Sequence, residues 1–207
     1  MELHGLYRIQ KKDLAKCADV STRAFIDDPA LKYQMGGKKP SYRQLRNYFD
    51  VILQTGFSHY DFFAPSEGIE GVIGLLPPNT DSVPPMEFLL HGGWKMPFTV
   101  YRDVLRRLDQ YETHSLEIRK NVSAMDAWYV MMLAVDPELQ GKGFGAKMLR
   151  AFLAEMDTQG KNCYLETHKI VNVVIYQHFG FKIVNTDTVP DGTDTQYAML
   201  RKPSVTL

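Results

Sequence analysis

The chain has 207 residues, and its 24 Lys and Arg balance its 24 Asp and Glu. That length suits one domain with a sizeable core. Zero net charge offers nucleic acid no basic stripe, and no stretch approaches the roughly 18 consecutive apolar residues of a membrane helix, so neither partner is expected. Met1-Glu2-Leu3-His4 lacks the charged-then-apolar layout of a secretory leader, which points to a soluble, cytoplasmic protein. Cys17 and Cys163 both fall in apolar-periodic segments and read as reduced core thiols rather than as a disulfide, a metal site or a nucleophile.

In chain order, Leu6 to Ile9 reads as a first strand. Asp13 then stands before a helix whose narrow apolar face carries Leu14, Cys17, Ala18, Ser21, Ala24 and Phe25. Asp27-Asp28-Pro29 should stop that helix, because the residue before proline avoids helical angles. After the loop 35–40, Ser41 and Gln44 have capping-box spacing for a second helix reaching Gly56. Tyr60–Ala64 and Ile69–Leu76 read as a hairpin around Pro65-Ser-Glu-Gly68. Residues 79–97 are rich in Pro and Gly and show little period, as a functional loop or lid would. A helix is expected from Phe98 to about Lys120, with its charges on the outer face.

Trp128 to Val135 is almost wholly apolar and closes at Asp136-Pro137, which fits a strand buried on both faces. Gln140-Gly-Lys-Gly-Phe-Gly145 follows, and Met148, Leu149, Phe152, Leu153 and Met156 continue at helical spacing to Gly160. Strand, glycine turn and helix in succession make an anion cradle, with the unpaired N–H groups and positive dipole end of the helix facing the turn. Lys142 is followed by Gly143 rather than Ser or Thr, which excludes a mononucleotide P-loop. The turn also lies past the middle of the chain, which excludes a Rossmann fingerprint. A strand to Thr167, a short helix from near Asn172 to Gly180, and strands at 181–185 and 196–200 complete the list. That succession packs economically only as a mixed sheet with helices on both faces.

Gln-x-x-Gly-x-Gly/Ala after a strand ending Val-Asp-Pro resembles the pyrophosphate-binding motif of the GCN5-related N-acetyltransferases (GNAT). The strand ending Leu165-Glu-Thr167, Asn172 with Tyr176 after it, and Phe179-Gly-Phe181 look like the second half of that family's pattern. Val189-Pro-Asp-Gly, the tail Tyr197 to Pro203, and Ala24 to Pro29 look most like the subgroup that includes puromycin N-acetyltransferase, although Val174 stands where that subgroup often has proline. The resemblance implies a GNAT fold of the α/β (α+β) class. Its sheet would be mixed, mostly antiparallel and twisted, with about seven strands splayed at the acetyl-CoA site. It implies a single domain spanning 1–207, with 1–125 on the acceptor side and 126–203 binding acetyl-CoA.

By the same resemblance, backbone groups of Leu133, Ala134 and Val135 pair with the pantetheine arm. Gly141, Lys142, Gly143, Phe144, Gly145 and Ala146 hold the pyrophosphate, Gln140 braces the turn, and Asn172 contacts the cofactor. Tyr176 is the candidate general acid for the departing thiolate. Glu166 is the candidate general base, His114 and His168 are weaker ones, and no metal is called for. The expected acceptor is a small-molecule amine, bound between residues 25–35 and the 79–97 segment, where Tyr33, Phe88 and Trp94 either stack on substrate or anchor the loop. A protein N-acetyltransferase and a non-catalytic acetyl-CoA sensor are the competing readings. The oligomeric state is left open, a homodimer included.

Overall fold

The computed structural model describes residues 1–80, 85–100 and 102–204. Its elements run β1 (Tyr7–Arg8), α1 (Leu14–Phe25), α2 (Pro29–Gln34), α3 (Tyr42–Gly56), β2 (Asp61–Ala64), β3 (Gly71–Leu76), α4 (Pro85–Leu90), α5 (Met96–Thr99) and α6 (Val104–Asn121). They continue with β4 (Trp128–Val135), α7 (Phe144–Gln159), β5 (Cys163–Thr167), α8 (Ile170–His178), β6 (Lys182–Thr188) and β7 (Thr195–Arg201). The strands form one sheet of seven in the order β1-β2-β3-β4-β5-β7-β6. Only β4 and β5 run parallel, because α7 carries the chain between them as a crossover. No described helix is long and apolar enough to cross a membrane.

Each sheet face carries its own core. On one, α1 and α3 pack Leu14, Cys17, Leu45, Phe49 and Leu53 against Phe62, Val72, Met132 and Ala134. On the other, α7 sets Met148, Leu149, Phe152 and Met156 against Phe63, Ile73, Val130 and Leu165. Val130 and Met132 are two residues apart yet lie in opposite cores. The cause is a β-bulge: Leu75 pairs with Val130 and Gly74 with Met132, so Met131 is left over. Trp128–Val135 is therefore not buried evenly on both faces, since Tyr129, Met131, Leu133 and Val135 are only half-buried.

Local chemistry explains most boundaries. Ser41 Oγ accepts the Gln44 N–H at 3.3 Å while Gln44 Oε1 accepts the Ser41 N–H at 3.0 Å, the capping box read from sequence. Asp13 does not cap α1 forward; its carboxylate turns back to the Gln10 N–H at 2.9 Å and the Tyr7 phenol at 2.8 Å. Asp28 starts α2, a helix the sequence reading did not include, by accepting the Ala30 N–H at 3.0 Å with Pro29 at the first position. The helix expected from Phe98 is two: α5, and α6 from Val104.

The carboxyl end of α7 is tied to the last strand. Arg201 donates to both oxygens of Asp157, at 2.8 and 2.7 Å, and the Ser204 N–H reaches Oδ1 at 2.7 Å. The guanidinium first, then the Ser204 N–H, holds the Asp157 carboxyl below the usual range despite partial burial. A depressed carboxyl pKa contributes stability above its unfolded value near 4, and that stability is lost as pH falls through the folded value. Asp157→Asn should lower unfolding free energy by about 2 kcal/mol at neutral pH. In urea titrations the difference should shrink at acid pH, where the wild-type carboxyl takes up its proton.

Candidate active site

β4 ends where Asp136 meets Arg23, whose Nε lies 3.0 Å from Asp136 Oδ2. This ion pair pins the turn to α1. A short 3-10 turn, Pro137–Leu139, follows, and Gln140 Nε2 donates back to the Val135 carbonyl at 3.2 Å, the bracing expected of it. Gly141 and Gly143 take left-handed φ values of 77° and 84°, and a Cβ at either would meet nothing within 4 Å. α7 makes its first helical bond from the Lys147 N–H to the Gly143 carbonyl at 2.9 Å. Among the described residues, no N–H from Gly141 to Ala146 has an acceptor in hydrogen-bonding geometry. Six donors without acceptors thus lie at the positive dipole end of a long helix, where a phosphate group is favoured. Lys147 does not add to them, because its Nζ donates to the Pro65 carbonyl at 2.7 Å.

Beside this turn the sheet opens. β4 and β5 pair only from Trp128↔Cys163 to Val130↔Leu165, although β4 continues to Val135 and β5 to Thr167. The bulge at Met131 bends β4 away at the point where pairing stops. Leu133, Ala134 and Val135 keep their partners on β3. On the β5 side they present an edge with no partner strand among the described residues.

That gap leads into a half-open cleft of about 200 Å³. Leu133, Asn172 and Tyr176 line it, with Asp28 and Gln34 of α2, Tyr48 of α3, Tyr111 and Glu112 of α6, and Tyr129, Glu166, Thr167 and His168 of the sheet and its edge. Thr167 positions α8: its hydroxyl accepts from Asn172 Nδ2 at 3.2 Å. The Tyr176 ring packs edge-on to Phe181, centroids 6.0 Å apart, and its phenol opens to the cleft. Burial, and next the Asp28 charge, push that phenol up to about 12.

Glu166 accepts three hydroxyl hydrogen bonds: from Tyr164 at 2.6 Å, Ser115 at 2.9 Å and Tyr129 at 3.3 Å. Burial raises its carboxyl above the ordinary range, and the three donors oppose that rise. Glu112 is pushed up to about 7, by desolvation between the cleft walls and then by the Glu166 charge. Its side chain remains wetted through the cleft, and that water moderates the rise. His168 also lines the cleft, with Nε2 3.3 Å from the Tyr111 hydroxyl, and burial lowers its pKa so that the ring is neutral near pH 7. His114 lies elsewhere, its Nε2 4.0 Å from Asp187.

The lining holds three carboxyl groups and no Lys or Arg, so the cleft favours a cation. Residues 25–34 contribute as expected, but among the described residues the 79–97 segment contributes none. Its other wall comes instead from α6. Tyr33 is held by Gln110 at 3.2 Å, Phe88 packs against the α1/α3 core, and Trp94 lies beneath Lys95; none of the three is among the cleft's lining residues. Glu112 was hidden in the sequence as one more charge on an outer helix face. Its i, i+3 relation to Ser115 was the available clue.

A family model described as an acetyltransferase (GNAT) domain matches residues 109–183. A Schizosaccharomyces pombe protein described as an uncharacterized N-acetyltransferase is 24% identical over 184 residues, covering 84% of this chain and 72% of its own. A Corynebacterium glutamicum structure described as histone acetyltransferase HPA2 and related acetyltransferase superposes with a TM-score of 0.63 at 17% identity, over 100% of both chains. The PaiA N-acetyltransferase of Thermoplasma acidophilum, solved with coenzyme A, gives 0.52 at 15% identity, over 98% of this chain and 99% of that one. The structural likenesses speak for the fold, and the sequence matches agree with it. The family model over 109–183 and the curated relative support the GCN5-related N-acetyltransferase superfamily, and with it an acyltransferase, for this chain.

Proposed function

We propose that the chain transfers an acetyl group from acetyl-CoA to a primary amine of a small, cationic molecule, by direct attack on the thioester. The observation that carries this reading is that the β4 edge left unpaired beyond Val130 runs from an acid-lined cleft, bordered by Leu133 and Tyr176, to the turn whose N–H groups from Gly141 to Ala146 have no acceptor among the described residues. The donors from Gly141 to Ala146 suit a pyrophosphate, and the edge of Leu133–Val135 suits a pantetheine amide arm lying as an extra strand, with Asn172 beside it. Residues 126–203 then form the cofactor half of a single domain, and 1–125 the acceptor half.

In the reaction the amine nitrogen bonds to the carbonyl carbon, a tetrahedral oxyanion forms at the β4 edge, and the carbon–sulfur bond breaks. Tyr176 gives its phenolic proton to the departing thiolate. The proton leaving the amine passes to Glu166, directly or through water, with Asp28 and Glu112 holding the ammonium beforehand. Walls from α2, α3 and α6 around the acceptor side favour a small amine over a polypeptide.

Acetyl-CoA should raise the melting temperature, and a panel of amines, polyamines, aminoglycosides, aminonucleosides and peptides should show free-thiol release with at least one small amine. Absence of any shift with acetyl-CoA ends the proposal, and release confined to peptides favours the protein-directed reading. Glu166→Gln should lower kcat by about 10- to 100-fold and flatten the acid limb of the pH–rate profile, because the wild-type carboxyl must be ionised to accept a proton.

A further inference from the structure

We infer that Glu112 takes the first proton from the acceptor's ammonium group, so that the amine meets the thioester with its lone pair free. The inference rests on the acetyl-transfer reading and adds a second proton acceptor to it. Aliphatic amines have pKa values near 10, so only about one molecule in a thousand is neutral at pH 7. An ammonium has no lone pair and cannot attack. Two protons therefore leave the nitrogen in each turnover, and Glu166 accounts for one of them.

Place and lack of commitment single out Glu112 for the other. It stands where the cleft meets the smaller void behind it and lines both, with Tyr111, Tyr129 and Met131. After burial, its charge is the largest cause raising the phenols of Tyr48 on α3 and of Tyr60 ahead of β2, and the Glu166 charge acts on it in turn. Its carboxylate thus lies within reach of groups on several walls. Glu166 accepts three hydroxyl hydrogen bonds, which occupy most of the roughly four lone-pair sites of a carboxylate. Asp28 spends an oxygen on the Ala30 and Leu31 N–H groups. Among the described residues, neither a hydrogen bond nor a cation steadies the charged form of Glu112, and burial, then Glu166, push it up to about 7. A carboxylate so raised is a better base than an ordinary one.

The neighbouring groups leave the role to it. The phenols of Tyr48, Tyr60, Tyr111, Tyr129 and Tyr176 are all raised by burial and keep their protons. His168 is lowered by burial, which makes it the weaker base, and Arg119 lines the void as a fixed cation. In the step itself an ammonium N–H bond breaks, the proton bonds to a Glu112 oxygen and the electron pair stays on nitrogen. That pair bonds to the thioester carbon, the second proton goes to Glu166, and sulfur leaves with the carbon–sulfur electrons and the Tyr176 proton. Water then returns the Glu166 proton to the Tyr176 phenolate and carries the Glu112 proton out. Glu112 is exposed within the cleft, which suits a group emptied at every turnover.

The test counts protons. Thiol release gives kcat/KM for an alkylamine between about pH 8 and about pH 9.5, above the Glu112 value and below that of the amine. The wild type should be flat there, because Glu112 carries the amine's proton through the reaction. Glu112→Gln has to wait for neutral amine from solution. Its kcat/KM should start about 100-fold below wild type and rise about tenfold per pH unit, so that the gap closes. Glu112→Asp should keep the flat profile at a lower level. With an amine that neighbouring fluorines make neutral at pH 8, Glu112→Gln should come within about threefold of wild type. The substitution is isosteric and strands no partner; should it fail to fold, Glu112→Ala should give the same slope. A gap that stays constant with pH overturns the inference, since Glu112 then only holds the ammonium, and a wild type that itself rises tenfold per unit overturns it equally. Either result leaves acetyl transfer standing. If no acceptor releases thiol from the wild type, acetyl transfer has failed and this inference falls with it.

Discussion

Gly143→Val should weaken acetyl-CoA binding by about 100-fold while leaving the protein folded. The residue caps α7 at φ 84°, and a Cβ there would meet no protein atom within 4 Å. The substitution therefore causes no clash inside the fold. What it does cause is backbone strain, about 1–2 kcal/mol for a side chain in the left-handed region and more for a β-branched one. If the N–H groups from Gly141 to Ala146 grip a diphosphate, that strain is relieved by turning the peptide planes that aim them. Losing two charge-assisted hydrogen bonds of about 1.5 kcal/mol each gives roughly 100-fold in affinity. Gly160→Val is the control. Gly160 is also left-handed, at φ 63°, and also faces open space, but it closes the other end of α7. Both variants should melt lower by similar amounts, and only Gly143→Val should lose the cofactor in calorimetry. Equal acetyl-CoA affinity for the two would show that the turn holds no phosphate.

The parts of this fold that the sequence revealed are those written in local chemistry. Trp128 and Val135 bound β4 as read, since an apolar run closed by Asp-Pro leaves little choice. Gly160 ends α7, and the Ser41–Gln44 box starts α3, because in both cases the signal and the structure lie within four residues of each other. The GNAT pattern placed Asn172, Tyr176 and Glu166, and all three border the cleft. The bulge at Met131 escaped notice for a physical reason. An apolar run has no alternation to interrupt, so an extra residue that switches Met132 to the opposite core from Val130 leaves no mark on the pattern. Residues 79–97 failed differently: α4 and α5 are too short for helical periodicity to show, and packing fixes them. Glu112 and Arg119 read as solvated charges on α6. Only the pairing of β4 with β3 and β5, set by residues far away in the chain, decides that this face of α6 looks onto Tyr129 and Met131.

Tyr176→Phe should lower kcat by about 100-fold with acetyl-CoA affinity changed by no more than about threefold, a general-acid effect at the low end of its usual range. The substitution removes one oxygen and keeps the ring that packs on Phe181, so the apolar contacts of α8 survive. The phenol opens to the cleft, so its loss strands no buried partner, and unfolding free energy should move by less than about 0.5 kcal/mol. The pH dependence separates this role from a packing role. A proton donor at Tyr176 must carry its proton to act, and with the phenol pushed up to about 12 it does so throughout the neutral range. In the wild type, proton donation therefore sets no alkaline limit near the ordinary phenol value of about 10. In the variant the thiolate must leave unaided, so its rate should depend more steeply on the acidity of the leaving thiol, measured with acetyl thioesters of graded thiol pKa. A non-catalytic sensor would be indifferent to the change. An unaltered kcat, or a loss confined to KM, would leave Tyr176 as a wall of the cleft and return the proton donor to water.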